Sequence, residues 1–130
     1  MREVSRAIIT DNTGRVLLGK RGRGPAAGLY ALIGGKPDYG ESAREAIVRE
    51  VMEETGLRFD PTFYLEELDF TSDQKDPWKV TYFTGLVTGE LKLEPAEVEE
   101  VTYVSESDLK KIAIAFNHKQ KLVEFFRSRK

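Results

Sequence analysis

The spacing of apolar and polar positions changes several times along this chain, and each change marks an element. Residues 4–10 carry β-branched side chains, residues 11–14 (Asp-Asn-Thr-Gly) form a turn cluster, and an apolar run follows at 15–20, a pattern that predicts a hairpin. Residues 21–28 (Arg-Gly-Arg-Gly-Pro-Ala-Ala-Gly) hold too much glycine for regular structure and predict a basic, flexible loop. Residues 29–33 form a short apolar strand ending at Gly34-Gly35, where backbone can come close to a ligand. The period then lengthens. Ser42 and Glu45 make a capping box and Gly56 is placed to terminate a helix over Ala43–Thr55.

The second half returns to alternation. Residues 62–71 predict a strand, and a polar loop at 72–78 leads into residues 79–88, where Val80, Tyr82, Thr84 and Leu86 alternate with Thr81, Phe83 and Val87. Residues 91–93 predict another short strand, and an acidic loop at Glu97 runs into a strand ending at Val104. Ser105 with Asp108 starts a short helix through Ile112, and Asn117 with Gln120 starts a last one, whose Leu122, Phe125 and Phe126 form a stripe to cover the sheet. His118, the only histidine, reads as a hydrogen-bonding or capping residue.

Length and composition narrow the chemistry. At 130 residues the chain is expected to be one domain, 1–130, with its own core. Twenty basic against twenty-two acidic residues leave a net charge of −2, which argues against nucleic acid and anionic membrane as partners. Without cysteine there is no disulfide, thiolate nucleophile or sulfur-ligated zinc, so metal work falls to carboxylates. The N-terminal segment is too polar for a signal peptide or a membrane span, and the expected location is cytoplasmic.

Residues 35–57 stand apart. On the helix, Glu50, Glu53 and Glu54 occupy i, i+3 and i+4, so three carboxylates share a face beside Ala43 and Ala46 while Ile47, Val48 and Val51 form the packed stripe. Neither Glu50 nor Glu53 has Lys or Arg at i+4, and three like charges at that spacing call for a cation. Taken without its flanks, the segment Arg49–Glu54 reads first as a solvated surface helix. Oxygen ligands of this kind, joined by a carbonyl of Gly34 or Gly35, suit Mg²⁺ or Mn²⁺, ions that act on phosphates.

The same segment resembles, position for position, the Nudix box G-x(5)-E-x(7)-R-E-U-x-E-E-x-G-U, with U a bulky aliphatic residue: Gly35, Glu41, Arg49, Glu50, Val51, Glu53, Glu54, Gly56 and Leu57. The resemblance covers nearly the whole chain. It implies an α/β Nudix fold with a mixed β-sheet sandwiched between helices, and metal-dependent hydrolysis of a nucleoside diphosphate linked to another group. By position it implies Gly34, Gly35, Glu50, Glu53, Glu54 and Glu97 as metal-binding, and Glu50, Glu53, Arg49 and Glu97 as catalytic. Glu41, Gly56 and Leu57 would support the box. Ile33 stands where many members have Pro, and Tyr30 where many have Trp.

Substrate-side candidates are Lys20, Arg21, Arg23, Tyr30, Lys36 and Trp78. Trp78 alone reads more readily as a packing residue than as a stacking platform. Lys75-Asp76-Pro77-Trp78 and Ala115-Phe116-Asn117-His118 resemble, in part, the R-D-P-R and A-F-D-H signatures of ADP-ribose pyrophosphatase-like members. The leading expectation is hydrolysis of ADP-ribose or a similar nucleotide sugar. The alternatives are a MutT-like nucleoside triphosphate pyrophosphohydrolase and a non-catalytic nucleotide-sensing domain. The partner is a small nucleotide, and a homodimer is compatible with the reading.

Overall fold

The computed structural model describes residues 2–70 and 75–129. The chain orders itself as β1 (Arg2–Ile9), β2 (Val16–Arg21), β3 (Tyr30–Ala31), β4 (Ile33–Gly35), α1 (Ala43–Thr55), β5 (Arg58–Phe59), β6 (Thr62–Asp69), β7 (Trp78–Gly85), β8 (Val87–Thr88), β9 (Val98–Val104), a short 3-10 helix (Glu106–Lys110) and α2 (His118–Ser128). Four strands form a mixed sheet in the order β4-β1-β7-β6, with β1 and β7 parallel and the other pairs antiparallel. A second sheet has the order β3-β2-β9, and β5 pairs with β8.

Alternation along the strands sorts the apolar residues onto two faces. Val4 and Ile8 of β1, Leu18 of β2 and Tyr82 of β7 pack with Leu122, Phe125 and Phe126 of α2. Ala7, Ile9, Leu17 and Phe83 face the other way, onto Ile47 and Val51 of α1. Sheet layers therefore lie between two helices, the α/β arrangement of the Nudix fold. No helix among the described residues is long and apolar enough to cross a membrane.

Several local expectations are corrected. β1 and β2 are not a hairpin: a single bridge between Thr10 and Val16 joins them, after which β1 enters one sheet and β2 the other. The apolar run at 29–33 splits at Leu32 because β3 belongs with β2 while β4 belongs with β1. The run at 79–88 likewise breaks at Leu86 into β7 and β8. Residues 91–93 form no strand. Instead Lys92 and Glu94 donate their backbone N–H groups to the carbonyls of Thr55 (2.7 Å) and Glu54 (3.1 Å), the orphan acceptors at the end of α1. Strand β6 ends at Asp69, and Thr71 to Gln74 of the expected strand end and loop lie outside the described residues.

Candidate active site

Helix α1 is fixed at both ends. Ser42 Oγ accepts from Glu45 N–H at 3.1 Å, and Glu45 Oε1 accepts from Ser42 N–H at 3.0 Å. Gly56 closes the helix at φ 75°, and its N–H reaches the Met52 carbonyl. Ala46, Ile47, Val51 and Thr55 are buried against the sheet. Glu50 and Glu54 continue the ridge that starts at Ala46, so they sit at the edge of the buried face, whereas Glu53 turns outward. Ala46 thus lies under the packed face rather than beside an exposed acidic one.

Arg49 divides the three carboxylates. Its Nε and Nη2 donate to Glu41 at 2.9 and 3.0 Å, its Nη1 donates to Glu50 (2.9 Å) and Glu53 (3.1 Å), and its Nη2 also donates to the Lys36 carbonyl (3.1 Å). Every donor of the guanidinium is used. These bonds, those to Glu41 first, raise the pKa of Arg49, and Arg49 in turn lowers that of Glu41. Neither glutamate has a cation at i+4, but Arg49 precedes them by one and four positions and bonds both. Among the described residues no three acidic or histidine side chains converge on one point.

What remains is a pair. Glu54 lies against Glu50, and burial first, then the hydrogen bond and charge of Glu50, drive its pKa upward. Glu54 Oε2 is buried without a hydrogen-bond partner. A Cβ built on Gly35 would fall 2.4 Å from Glu50 Cδ, so only glycine lets the backbone approach this carboxylate. An orphaned carboxylate oxygen, a second carboxylate against it and backbone packed close by fit a hard divalent cation, with Glu50 and Glu54 as the oxygen pair.

The pair opens onto a cavity of about 1180 Å³. Of the residues expected at the site, Gly34, Gly35, Glu50, Glu53, Glu54, Glu97, Arg21, Arg23, Lys36 and Trp78 line it. Arg49 and Glu41 stand behind the glutamates. Lys20 and Tyr30 do not line it. They pair across β2 and β3, and the Tyr30 hydroxyl donates to Glu100, which directs the ring away from the cavity. Arg23 is ion-paired with Glu97, tying the 21–28 loop to the start of β9. Trp78 carries Arg2 at 4.9 Å and Lys36 at 5.1 Å from its ring centre, so it is a half-buried wall between cations.

The cavity is also lined by Arg6, Leu32, Tyr82, Phe116, Asn117 and His118; the last three belong to the A-F-D-H-like stretch of the sequence, whereas sequence reading missed Arg6, Leu32 and Tyr82. Asn117 precedes α2 but makes no side-chain cap, and so it is free to face the cavity. His118 Nδ1 accepts the Leu32 N–H at 3.1 Å, which satisfies the backbone where β3 breaks from β4. Burial, reinforced by Arg6 and Arg21, lowers its pKa to about 3, so it is neutral and carries its proton on Nε2. The signal for Arg6 was present: in Val4-Ser5-Arg6-Ala7-Ile8, alternation places it in the buried row with Val4 and Ile8.

Comparison with known proteins bears on the family and the fold. The NUDIX domain family matches residues 1–126. An ADP-ribose pyrophosphatase from Methanocaldococcus jannaschii is 31% identical over 123 residues, 92% of this chain and 70% of that protein. An oxidized purine nucleoside triphosphate hydrolase from Danio rerio is 38% identical over 63 residues, 48% of this chain and 40% of that protein. The crystal structure of a MutT NUDIX hydrolase from Burkholderia pseudomallei superposes with a TM-score of 0.80 at 28% identity, covering 93% of this chain and 95% of that one. Fold, box and relatives converge, and the chain belongs to the Nudix family as a pyrophosphohydrolase.

Proposed function

We propose that this pyrophosphohydrolase cleaves the pyrophosphate bond of a nucleoside diphosphate linked to another group, with ADP-ribose or a similar nucleotide sugar as leading substrate, to give two monophosphates. The Glu50–Glu54 pair, which lines the cavity and leaves Glu54 Oε2 without a partner, carries the reading. Glu50, Glu54 and the Gly35 carbonyl would hold Mg²⁺, with Mn²⁺ as a substitute. A bound divalent cation supplies charge neutralisation on the pyrophosphate and a water acidic enough to attack phosphorus.

The chain's own groups do the rest. Arg49 fixes the carboxylates and, with no donor left, holds them without touching substrate. Glu53 and Glu97 line the cavity outside the Glu50–Glu54 pair, together with Asp38, Asp69 and Glu94, and Glu53 or Glu97 takes the proton of the attacking water. Arg21, Arg23 and Lys36 face the phosphates. The cavity exceeds the roughly 300–1,000 Å³ of ordinary ligand sites, which suits a nucleotide bearing a further group. The likeness to the Methanocaldococcus jannaschii enzyme favours ADP-ribose, and the shorter likeness to the Danio rerio enzyme favours a triphosphate as second reading. A cytoplasmic location belongs to the same proposal.

The test is hydrolysis of ADP-ribose and a panel of nucleoside triphosphates with Mg²⁺ and Mn²⁺, with products separated. The expected products are AMP and ribose 5-phosphate. Triphosphate turnover releasing pyrophosphate, with ADP-ribose left intact, would overturn the substrate. Hydrolysis unchanged in both Glu53→Gln and Glu54→Gln would overturn the catalytic assignment.

A further inference from the structure

Arg6 is a cation in an apolar row. Its neighbours on the same face of β1, Val4 and Ile8, are core residues, and its partners across the sheet are Gly34 on β4 and Tyr82 on β7. Its aliphatic stem crosses Gly34, where an added Cβ would fall 3.0 Å from Arg6 Cδ, and its half-buried side chain lines the cavity. Among the described residues the Arg6 guanidinium makes no hydrogen bond or ion pair. A half-buried guanidinium on a cavity wall without a protein partner leaves its five donors free for a ligand.

A second cation faces the same volume. Arg21 lies across the cavity, with its Nε donating to the Pro25 carbonyl at 2.8 Å and its guanidinium 5.0 Å from the Phe116 ring, which itself sits 5.3 Å from His118. Arg6 and Arg21 repel each other, and both disfavour charge on His118. The cavity therefore holds two guanidinium groups besides the carboxylates of Glu50 and Glu54, and Arg6 lies near enough to Glu50 and Glu54 to be attracted by both. Arg49 bonds Glu50, whereas no carboxylate is hydrogen-bonded to either Arg6 or Arg21 among the described residues. A base carbonyl carries no charge to offset two guanidinium groups, whereas non-bridging phosphate oxygens do.

We propose that Arg6 is a substrate-binding residue that clamps a phosphate of the nucleotide together with Arg21. This rests on the reading that the substrate is a nucleotide. The competing role for Arg6 is a fixed counter-charge for Glu50 and Glu54, both of which attract it. The two roles differ in what they do to anion and cation binding.

Equilibrium binding of AMP and GMP, and of adenosine and guanosine, is measured in excess chelator on wild type, Arg6→Gln and Arg6→Lys. Mn²⁺ binding is measured separately. Arg6→Gln should weaken monophosphate binding by about 10- to 100-fold, the worth of a lost charge-assisted contact. Nucleoside affinity should stay within about twofold, and Mn²⁺ binding should not weaken, since a cation has been removed from beside the carboxylates. Arg6→Lys should recover part of the loss, and it carries the test alone if the glutamine variant does not fold, with a smaller loss confined to the monophosphates. Equal losses for nucleosides and monophosphates would overturn the clamp, as would monophosphate affinity in Arg6→Gln within about twofold of wild type. Wild type that binds neither monophosphate would overturn it too. Neither metal nor hydrolysis enters the monophosphate assay, so failure of the Glu53 and Glu54 tests leaves its result standing.

Discussion

The two ends of the cavity are built on opposite plans. The acidic end comes from one continuous segment, and its organiser is charge: Arg49 bonds Glu41, eight residues back, and Glu50 and Glu53, one and four residues on. The basic end comes from four distant pieces of chain, β1, β2, β7 and the start of α2, held by sheet pairing, by packing and by a neutral hydrogen bond from Leu32 to His118 across 86 residues. Charges arranged locally can be dense because each is anchored to the next. Charges brought together from afar are few, and here the burial around them keeps the neighbouring histidine neutral.

That contrast can be broken first at His118. Its pKa is about 3 in the fold against about 6.5 unfolded, so the unfolded chain binds more protons between those values. Stability from this group is complete above about pH 6.5 and is lost as pH falls toward 3, amounting to about 4 kcal/mol. Denaturant unfolding from pH 7 to pH 3 should show wild type losing about that much more than His118→Gln. Parallel profiles would mean that the imidazole is not held neutral.

Next is Gly35→Ala. The added Cβ must move the Glu50 carboxylate, 2.4 Å away, and misplacing a reacting group by an ångström costs about 10²-fold in turnover. The kcat should fall while nucleotide binding in chelator changes little. An unchanged kcat would show that Glu50 has slack the structure does not indicate.

Arg49→Lys sharpens the plan of the acidic end. A lysine offers three donors from one point and cannot bridge Glu41, Glu50 and Glu53, so Mn²⁺ affinity should drop by between about 10- and 100-fold. Spin-resonance titration reads this directly.

The smallest effect belongs to Arg23→Ala. The Arg23–Glu97 pair is exposed on both sides, 72% and 40%, so its loss should leave thermal unfolding within a degree or two and change KM more than kcat, by less than about tenfold. A large loss of stability would place the loop among the structural elements.

Legibility followed the same division. Helix α1, its capping box, its terminating glycine and the grouping of Glu41, Arg49, Glu50, Glu53 and Glu54 could all be read because each relation spans eight residues or fewer. Where Arg49 would put its donors could not, since the wheel places it beside Glu53 but does not show that it also reaches Glu50, Glu41 and the Lys36 carbonyl. Lys20 and Tyr30 were misplaced because their strand turns them toward Glu100, a relation set by pairing with β9. Arg6 had a visible signal, a cation in a buried row, but its meaning depended on Gly34, Tyr82 and Arg21, none of them near it in sequence.

The parallel pairing of β1 with β7 orders these parts in time. Ile8 and Thr84, bonded across it, lie 76 residues apart, and closing so long a loop is slow compared with winding a capped helix. During synthesis, α1 can form with its glutamates and Arg49 in place while β7 has yet to emerge. The wall that carries Arg6 and Tyr82 then completes late, so a nascent chain would hold carboxylates ready for a cation before it has anywhere to seat a nucleotide.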